Sequence, residues 1–337
     1  MNTDVTDFAT LEACVGKVPG PRDLKVIDHL DAWALRWIAV SPFFFITLAE
    51  KNGGGIHITA GGGEHGCVQA VDARHLRVPL NVLDDSGNLR VGQSFGSLFL
   101  VPGLGETLRV NGRVQTVTPE WVDLEVAECY LHCAKALMRS DFWQASPSAV
   151  IPANTEAFLA ATRFIALASV DQQGDADVSP KGDPAGTTLR LHDESVWYAD
   201  RPGNRRVDSF RNILSQPRIA LMALIPGSNQ ILLVEGAARI TTDATMREAF
   251  KVQDKAPNLT TCVSPAALQV RESAALARAR LWPSRPAPQD LDPTEIFKTH
   301  VKLNKSAGLQ AGLARAAISI PGLMKKGLQH DYKKNMY

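Results

Sequence analysis

The chain of 337 residues is without several features that would each have narrowed its class at once. No stretch reaches the roughly 18 to 20 uninterrupted apolar residues that a membrane helix needs. The opening residues, MNTDVTDFATLEACV, lack the basic and apolar regions of a signal peptide, so a cytoplasmic location is expected. Cysteine is scarce: the five residues Cys14, Cys67, Cys129, Cys133 and Cys262 are odd in number and contain no CxxC pair. That pattern suits reduced thiols better than a disulfide framework or a structural zinc site. Cys129, His132 and Cys133 fall close together, but two thiols and one imidazole on one helical turn leave a zinc ion short of a fourth ligand, so no metal is expected. An excess of charge of one sign is also missing. Lys and Arg number 36 against 35 for Asp and Glu, a formal net charge of +1. No global field therefore gathers nucleic acid or an anionic membrane, and an anion site must be a local cluster. The glycine-rich run GGGIHITAGGGEHG, from Gly53, carries no GK[ST] and is not set between a strand and a helix of the dinucleotide-binding kind; it reads as two turns around one strand.

What is present is an internal repeat. SLFLVPGLGETLRVNGRVQTVTP, from Ser97, lies over LMALIPGSNQILLVEGAARITTD, from Leu221, without a gap, so that Pro102 and Gly103 fall on Pro226 and Gly227, and Gly112 on Gly236. Upstream, FITLAEKNGGGIHIT, from Phe45, matches FIALASVDQQGDADVS, from Phe164, each an apolar strand, a polar glycine-containing turn and an alternating second strand. Downstream, LEVAECYLHCAKALMRSDFW, from Leu124, matches LQVRESAALARARLW, from Leu268, each a short strand leading into a helical stretch that ends at Trp143 or Trp282. Three matches in one order point to a tandem duplication. The expected units are residues 1–145, residues 155–285 and a C-terminal helical extension, 286–337, with the linker QASPSAVIPAN beginning at Gln144. Helices are expected around Leu24 to Val40 and Thr155 to Ala161, then at Thr294 to Ala316 and Pro321 to Lys334. Short β-rich runs with Gly and Pro turns argue for small antiparallel barrels with peripheral helices, a mainly β chain of α+β type, rather than a parallel sheet.

The residues that carry chemistry lie between Asp177 and Leu221. Asp200-Arg201-Pro202-Gly203-Asn204-Arg205-Arg206 sets three guanidinium groups and a Pro-Gly turn where a strand hands over to a helix starting near Val207. A helix N-terminus beside arginine forks is a good phosphate site. Ser179 and Lys181, one hairpin earlier, can add a hydroxyl and an ammonium to the same anion. The bland reading is a solvated helix start in which these arginines pair with Asp200 and Asp208.

This segment resembles the flavin-binding stretch of the pyridoxamine 5'-phosphate oxidase-like, FMN-binding split-barrel superfamily. Asn204, Arg205 and Arg206 match a small polar residue followed by two basic ones, and SQPRIAL matches the helix exit. ETLRVNGR, from Glu106, is similar to the following strand, and HCAKALMRSDFW, from His132, resembles the end of one subfamily. The resemblance touches most of residues 40 to 285 and implies two fused split β-barrels, FMN as cofactor, and a phosphate site on Asn204, Arg205 and Arg206; Ser179, Lys181, Asp200 and Arg201 are expected to join that site from their place in the sequence. In that superfamily two subunits pair and share flavin sites.

The two copies have lost different things. VDARHLRVPLNVLDDSGN, from Val71, stands where the phosphate segment should be and has no RPGNRR. The second copy has Leu233 and Ala237 where the first has Arg109 and Arg113, and Arg271, Glu272 and Ala274 where the first has His132, Cys133 and Lys135. Complementary loss implies one composite site, with the second copy holding the phosphate and Arg109, His132 or Lys135 facing the ring or the substrate. Arg109 alternates with Leu108 and Val110, and solvent explains it as well as a ligand does. The expected activity is an FMN-dependent oxidation or reduction of an unidentified small molecule, without nucleic acid or membrane partners, in a monomer or a homodimer. The alternatives are a flavin- or haem-binding protein without turnover, which for haem requires an axial ligand, and a non-catalytic scaffold.

Overall fold

Strands that are apolar on both faces must be covered on both faces, and the central strands of this chain are of that kind. The computed structural model describes residues 3–17, 23–50, 54–148, 152–202, 207–305 and 336–337. After β1 (Asp4–Val5), the first unit contains β2 (Phe43–Ala49), β3 (Ile56–Gly62), β4 (Gln69–Ala70), β5 (His75–Pro79), β6 (Ser94–Leu100), β7 (Thr107–Val117) and β8 (Trp121–His132). They form one antiparallel sheet in the order β3-β2-β6-β7-β8-β5-β4. The second contains β9 (Phe164–Val170), β10 (Ala176–Gly182), β11 (Arg190–His192), β12 (Ser195–Ala199), β13 (Arg218–Leu224), β14 (Gln230–Thr241) and β15 (Thr260–Glu272). Its order, β10-β9-β13-β14-β15-β12-β11, repeats the first strand for strand, and β1 joins it against β14. The fold is mainly β, two split β-barrels with peripheral helices.

The gapless match of Ser97 with Leu221 is also the structural register. Phe95 lies opposite Gly112 and Ile219 opposite Gly236, and both sheets bulge at the same step, Asn111/Gly112 and Glu235/Gly236. The first hairpin differs. Phe43 pairs with Leu100 and Gly62 as Phe164 pairs with Leu224 and Gly182, so Phe43 rather than Phe45 is the counterpart of Phe164. A slip of two residues leaves every side chain on the same face, which is why alternation alone cannot detect it.

The helices are α1 (Phe8–Val15), α2 (Ala32–Val40), α3 (Lys135–Arg139), α4 (Thr155–Ala161), α5 (Asp208–Ser215), α6 (Ala244–Ala249), α7 (Ala274–Ala279) and α8 (Pro293–Leu303). The helix expected from Leu24 begins only at Ala32, because the Asp31 side chain accepts from Ala34 N–H and caps it there, while Ile27 bridges to Cys129. His132 and Cys133 do not share a helical turn: β8 runs through His132, and α3 starts at Lys135. Gly61 to Gly66 spells GxGxxG, yet β3 passes there into a turn and then β4 with no helix between. Of the expected tail helices, α8 covers the start of the first; Pro321 to Lys334 lies outside the described residues, as do residues 149–151 of the linker. No helix among the described residues is long and apolar enough to cross a membrane.

Alternation sorts most of the buried strand side chains among the described residues into three main cores. On β2, Phe44, Ile46 and Leu48 point into the first unit, while Phe43 and Phe45 point to the second. On β9, Ile165 and Leu167 fill the second unit, while Phe164, Ala166 and Ala168 face the first. Phe45 stacks on Phe164 at 5.9 Å, and Phe142 meets both Phe164 and Trp282. Each buried aromatic of this shared layer stabilises the pair of units by about 1.5–3 kcal/mol. Two short helices lock the layer reciprocally: α3 of the first unit lies on β10 and α7 lies on β3. A Cβ on Gly182 would fall 2.1 Å from the Ala136 carbonyl oxygen, and one on Gly62 2.3 Å from that of Ala275.

Gly182→Val and Gly62→Val should therefore each lower stability by about 1–3 kcal/mol through overpacking. In urea this appears as an earlier midpoint with an unchanged slope; midpoints equal to wild type would show that these approaches are not close.

Candidate functional site

One large cleft, about 930 Å³, opens where α3 of the first unit faces β10, β12 and the start of α5 of the second. From the first unit it takes His132, Cys133, Lys135 and Arg139; from the second, Ser179, Lys181, Asp183, Tyr198, Asp200 and Arg201, with Val207 to Phe210 at the helix start. Tyr337 also lines it. Val207 is the cap of α5 and sits at φ 53°, in the left-handed region that a β-branched side chain disfavours. Such strain persists only where the surroundings impose it, and it clusters at functional sites.

The cleft collects cations under partial burial. The Lys181 ammonium lies 5.4 Å from the Tyr198 ring centre and 5.1 Å from that of Phe210. Burial pushes its pKa down, and the nearby Asp200 carboxylate opposes that. Burial likewise pushes Asp200 and Asp183 up, each offset by a neighbouring cation. Arg201 Nε donates to Asp183 Oδ2 at 2.6 Å, and its Nη2 donates to the Phe250 carbonyl at 2.8 Å. Arg139 is buried, and no carboxylate among the described residues lies within ion-pairing distance; its donors go to the carbonyls of Pro202 and Met336. Burial raises the Cys133 thiol, which keeps it protonated and a poor nucleophile.

The structure brings Ser179, Lys181, Asp200, Arg201, His132 and Lys135 into one cleft. Asn204, Arg205 and Arg206 lie outside the described residues. Arg201 pairs with Asp183, not with Asp200 or Asp208. Arg109 is neither solvated nor among the residues lining the cleft. It is fully buried between the units, donating to Tyr130 Oη at 2.8 Å, Asp177 Oδ1 at 2.9 Å, Ser179 Oγ at 3.1 Å and the Val178 carbonyl. Asn111 and Arg113, on the same face of β7, bind Asp177 and Asp175. Arg109 thus acts on the cleft indirectly, by holding the β10 segment that carries Ser179. Sequence reasoning missed Arg139 and Asp183. Arg139 stands inside HCAKALMRSDFW and Asp183 within the Asp177–Leu221 segment, but nothing local marks them as facing the same space.

The place related to this cleft by the repeat is filled. Gly61 is the counterpart of Lys181, and the Phe44 ring lies over it, 2.1 Å from where a Cβ would stand. Asp84 occupies the other side, accepting from Ser273 and from Ala275 N–H.

Residues 151–282 match the family model described as pyridoxamine 5'-phosphate oxidase. The match covers the second unit, whose strand order the first unit repeats. No curated protein matches the chain. Among solved structures it is similar to HupZ of Group A Streptococcus, with 18% identity, 37% of this chain and 98% of that one covered, and a TM-score of 0.30. General Stress Protein 26 of Bacillus anthracis matches with 16% identity over 34% of this chain and 90% of its own, at a TM-score of 0.27. A pyridoxamine 5'-phosphate oxidase-related, FMN binding protein of Nostoc punctiforme matches with 14% identity over 39% and 82%, at 0.25.

Replacing Arg109 by Leu, the residue its counterpart position carries, should leave Asp177 between the units without its buried cation, though still bound to Asn111, at a cost on the order of 3 kcal/mol. Chemical denaturation of the two proteins measures this; equal stability would make the buried cluster energetically idle.

Proposed function

We propose that this protein is an FMN-dependent oxidoreductase acting on a small molecule, with a single composite flavin site formed by both units. The observation that carries the reading is the cleft itself, in which cations and hydroxyls of the second unit face His132 and Lys135 of the first. The donor set fits the group. Arg139 is a buried guanidinium whose hydrogen bonds go to carbonyls, and Lys181 is a buried ammonium whose pKa burial lowers against the pull of Asp200; both have the charge to bind an anion.

In this reading Ser179, Lys181, Asn204, Arg205, Arg206 and the amide groups at the start of α5 hold the phosphate, as helix termini and arginine forks do elsewhere. Lys135 and His132 face the ring or the substrate. Bound flavin supplies electron or hydride transfer, and the protein supplies orientation and electrostatics. A positive group at the ring edge favours the reduced, anionic form, and Lys135 takes that role in place of Arg109. The filled counterpart place supports one site per chain. Balanced charge favours a small substrate over nucleic acid or membrane, and a cytoplasmic monomer or homodimer fits the fused pair.

The test is the absorbance spectrum of the purified protein, with heat release and counting of any chromophore. One FMN per chain is expected. Two would contradict the single site, a haem-like spectrum would replace flavin with a haem whose axial candidate is His132, and a colourless protein that takes up no FMN would be a scaffold. The Arg205→Ala/Arg206→Ala double variant should bind FMN at least roughly a hundredfold more weakly, since each charge-assisted bond contributes about 1.5–3 kcal/mol; undiminished binding would remove the phosphate assignment.

A further inference from the structure

The cations at the mouth of the cleft already have an occupant from the chain itself. Arg139 Nε, in the first unit, donates to the Met336 carbonyl at 2.7 Å. Lys255 Nζ, in the second, donates to the Tyr337 backbone oxygen at 3.0 Å. The Tyr337 ring stands between the two units, its centre 5.7 Å from the Arg139 guanidinium and 5.6 Å from that of Arg201. One ring and two acceptor oxygens therefore engage three cations. Partial burial raises the phenol pKa, so the ring stays neutral and satisfies the guanidinium groups through its face and not through charge.

That arrangement has the outline of a ligand. A flat ring with oxygens at its edge, gripped by arginines of opposite units, is what these cations select. The Met336 carbonyl is the weaker choice of acceptor for Arg139, because a hydrogen bond to an ionised oxygen is roughly twice as strong as one to a neutral group. A planar anion can thus replace residues 336 and 337 on the same donors, whereas it cannot share them.

We propose that Arg139, Arg201 and Lys255 form a subsite for a planar ligand with an anionic oxygen edge, and that Met336–Tyr337 is an internal occupant which the ligand displaces. The proposal rests on the preceding reading only in treating the cleft as the ligand site; the ligand is either the flavin itself or the second, reacting molecule. The tail then sets an affinity threshold. The ligand's net binding is its intrinsic binding reduced by the fraction of molecules in which the subsite is closed.

The experiment compares wild type with Tyr337→Ala, and with a variant lacking residues 336 and 337, by calorimetric titration with two probes, FMN and 4-nitrophenyl phosphate. Tyr337→Ala should bind at least one probe about tenfold more tightly, removal of both residues should add to the gain, and Tyr337→Phe should stay near wild type. Arg139→Gln should abolish the gain. A gain for FMN identifies the flavin as the displacing ligand; a gain for 4-nitrophenyl phosphate on FMN-loaded protein identifies the second molecule. If neither protein takes up FMN while 4-nitrophenyl phosphate still gains, the flavin reading fails and this one stands. Unchanged or weaker binding of both probes in Tyr337→Ala, or no binding of either, overturns it, since Tyr337 would then be a wall of the site or unrelated to it.

Discussion

The structure depends on one apolar layer, the contact of β2, β3 and β6 with β9, β10 and β13. Strands with hydrophobic side chains on both faces cannot stand at a solvent boundary, so each sheet requires the other. Phe43, Phe45 and Leu98 pack with Phe164, Ala166, Ala168 and Met222 in that layer, and Phe45 stacks on Phe164. Such complementarity fixes the distance between the units, and Gly62 and Gly182 allow α7 and α3 to close on the opposite sheet. The cleft is a consequence of that closure, because its two walls belong to α3 and to β10.

Around the layer, equivalent positions have been put to different uses. Asn111 binds Asp177 across the units; the corresponding pair, Glu235 and His57, lies at 3.1 Å. Arg109 is a buried clamp, while Leu233 at its counterpart joins the apolar layer. Arg139 and Arg278 both donate to backbone carbonyls, but Arg278 reaches Gly62 and Val82 within the filled place, whereas Arg139 reaches Pro202 and Met336 at the cleft. The two units therefore share the geometry of the pair and differ in the side chains that line it.

Electrostatics then follow from burial. Lys181, Asp183, Arg139, Asp200 and Arg201 are too enclosed to rely on water, and each displaces its neighbour's pKa. The cluster mixes signs, yet the asymmetry matters: Arg201 is matched by Asp183 at 2.6 Å, and Arg139 has carbonyls alone. An anion entering here meets prepaid desolvation of its partners, the condition under which charged hydrogen bonds contribute most.

The amino-acid sequence carries what local pattern and self-similarity encode. It carried the repeat, the mainly β character, the register of Ser97 on Leu221, the helix at Thr155 to Ala161, and the concentration of basic and hydroxyl groups from Ser179 to Arg206. Those features depend on neighbours within one hairpin or one turn. Only the tertiary structure decided that Phe43 answers Phe164, because a shift of two preserves alternation. It also decided that Arg109 is a clamp, that Arg139 and Asp183 face the cleft, and that Tyr337 sits between guanidinium groups of opposite units. Each of these is a contact between segments far apart in the chain, and its energy comes from burial between the units, which no local pattern records.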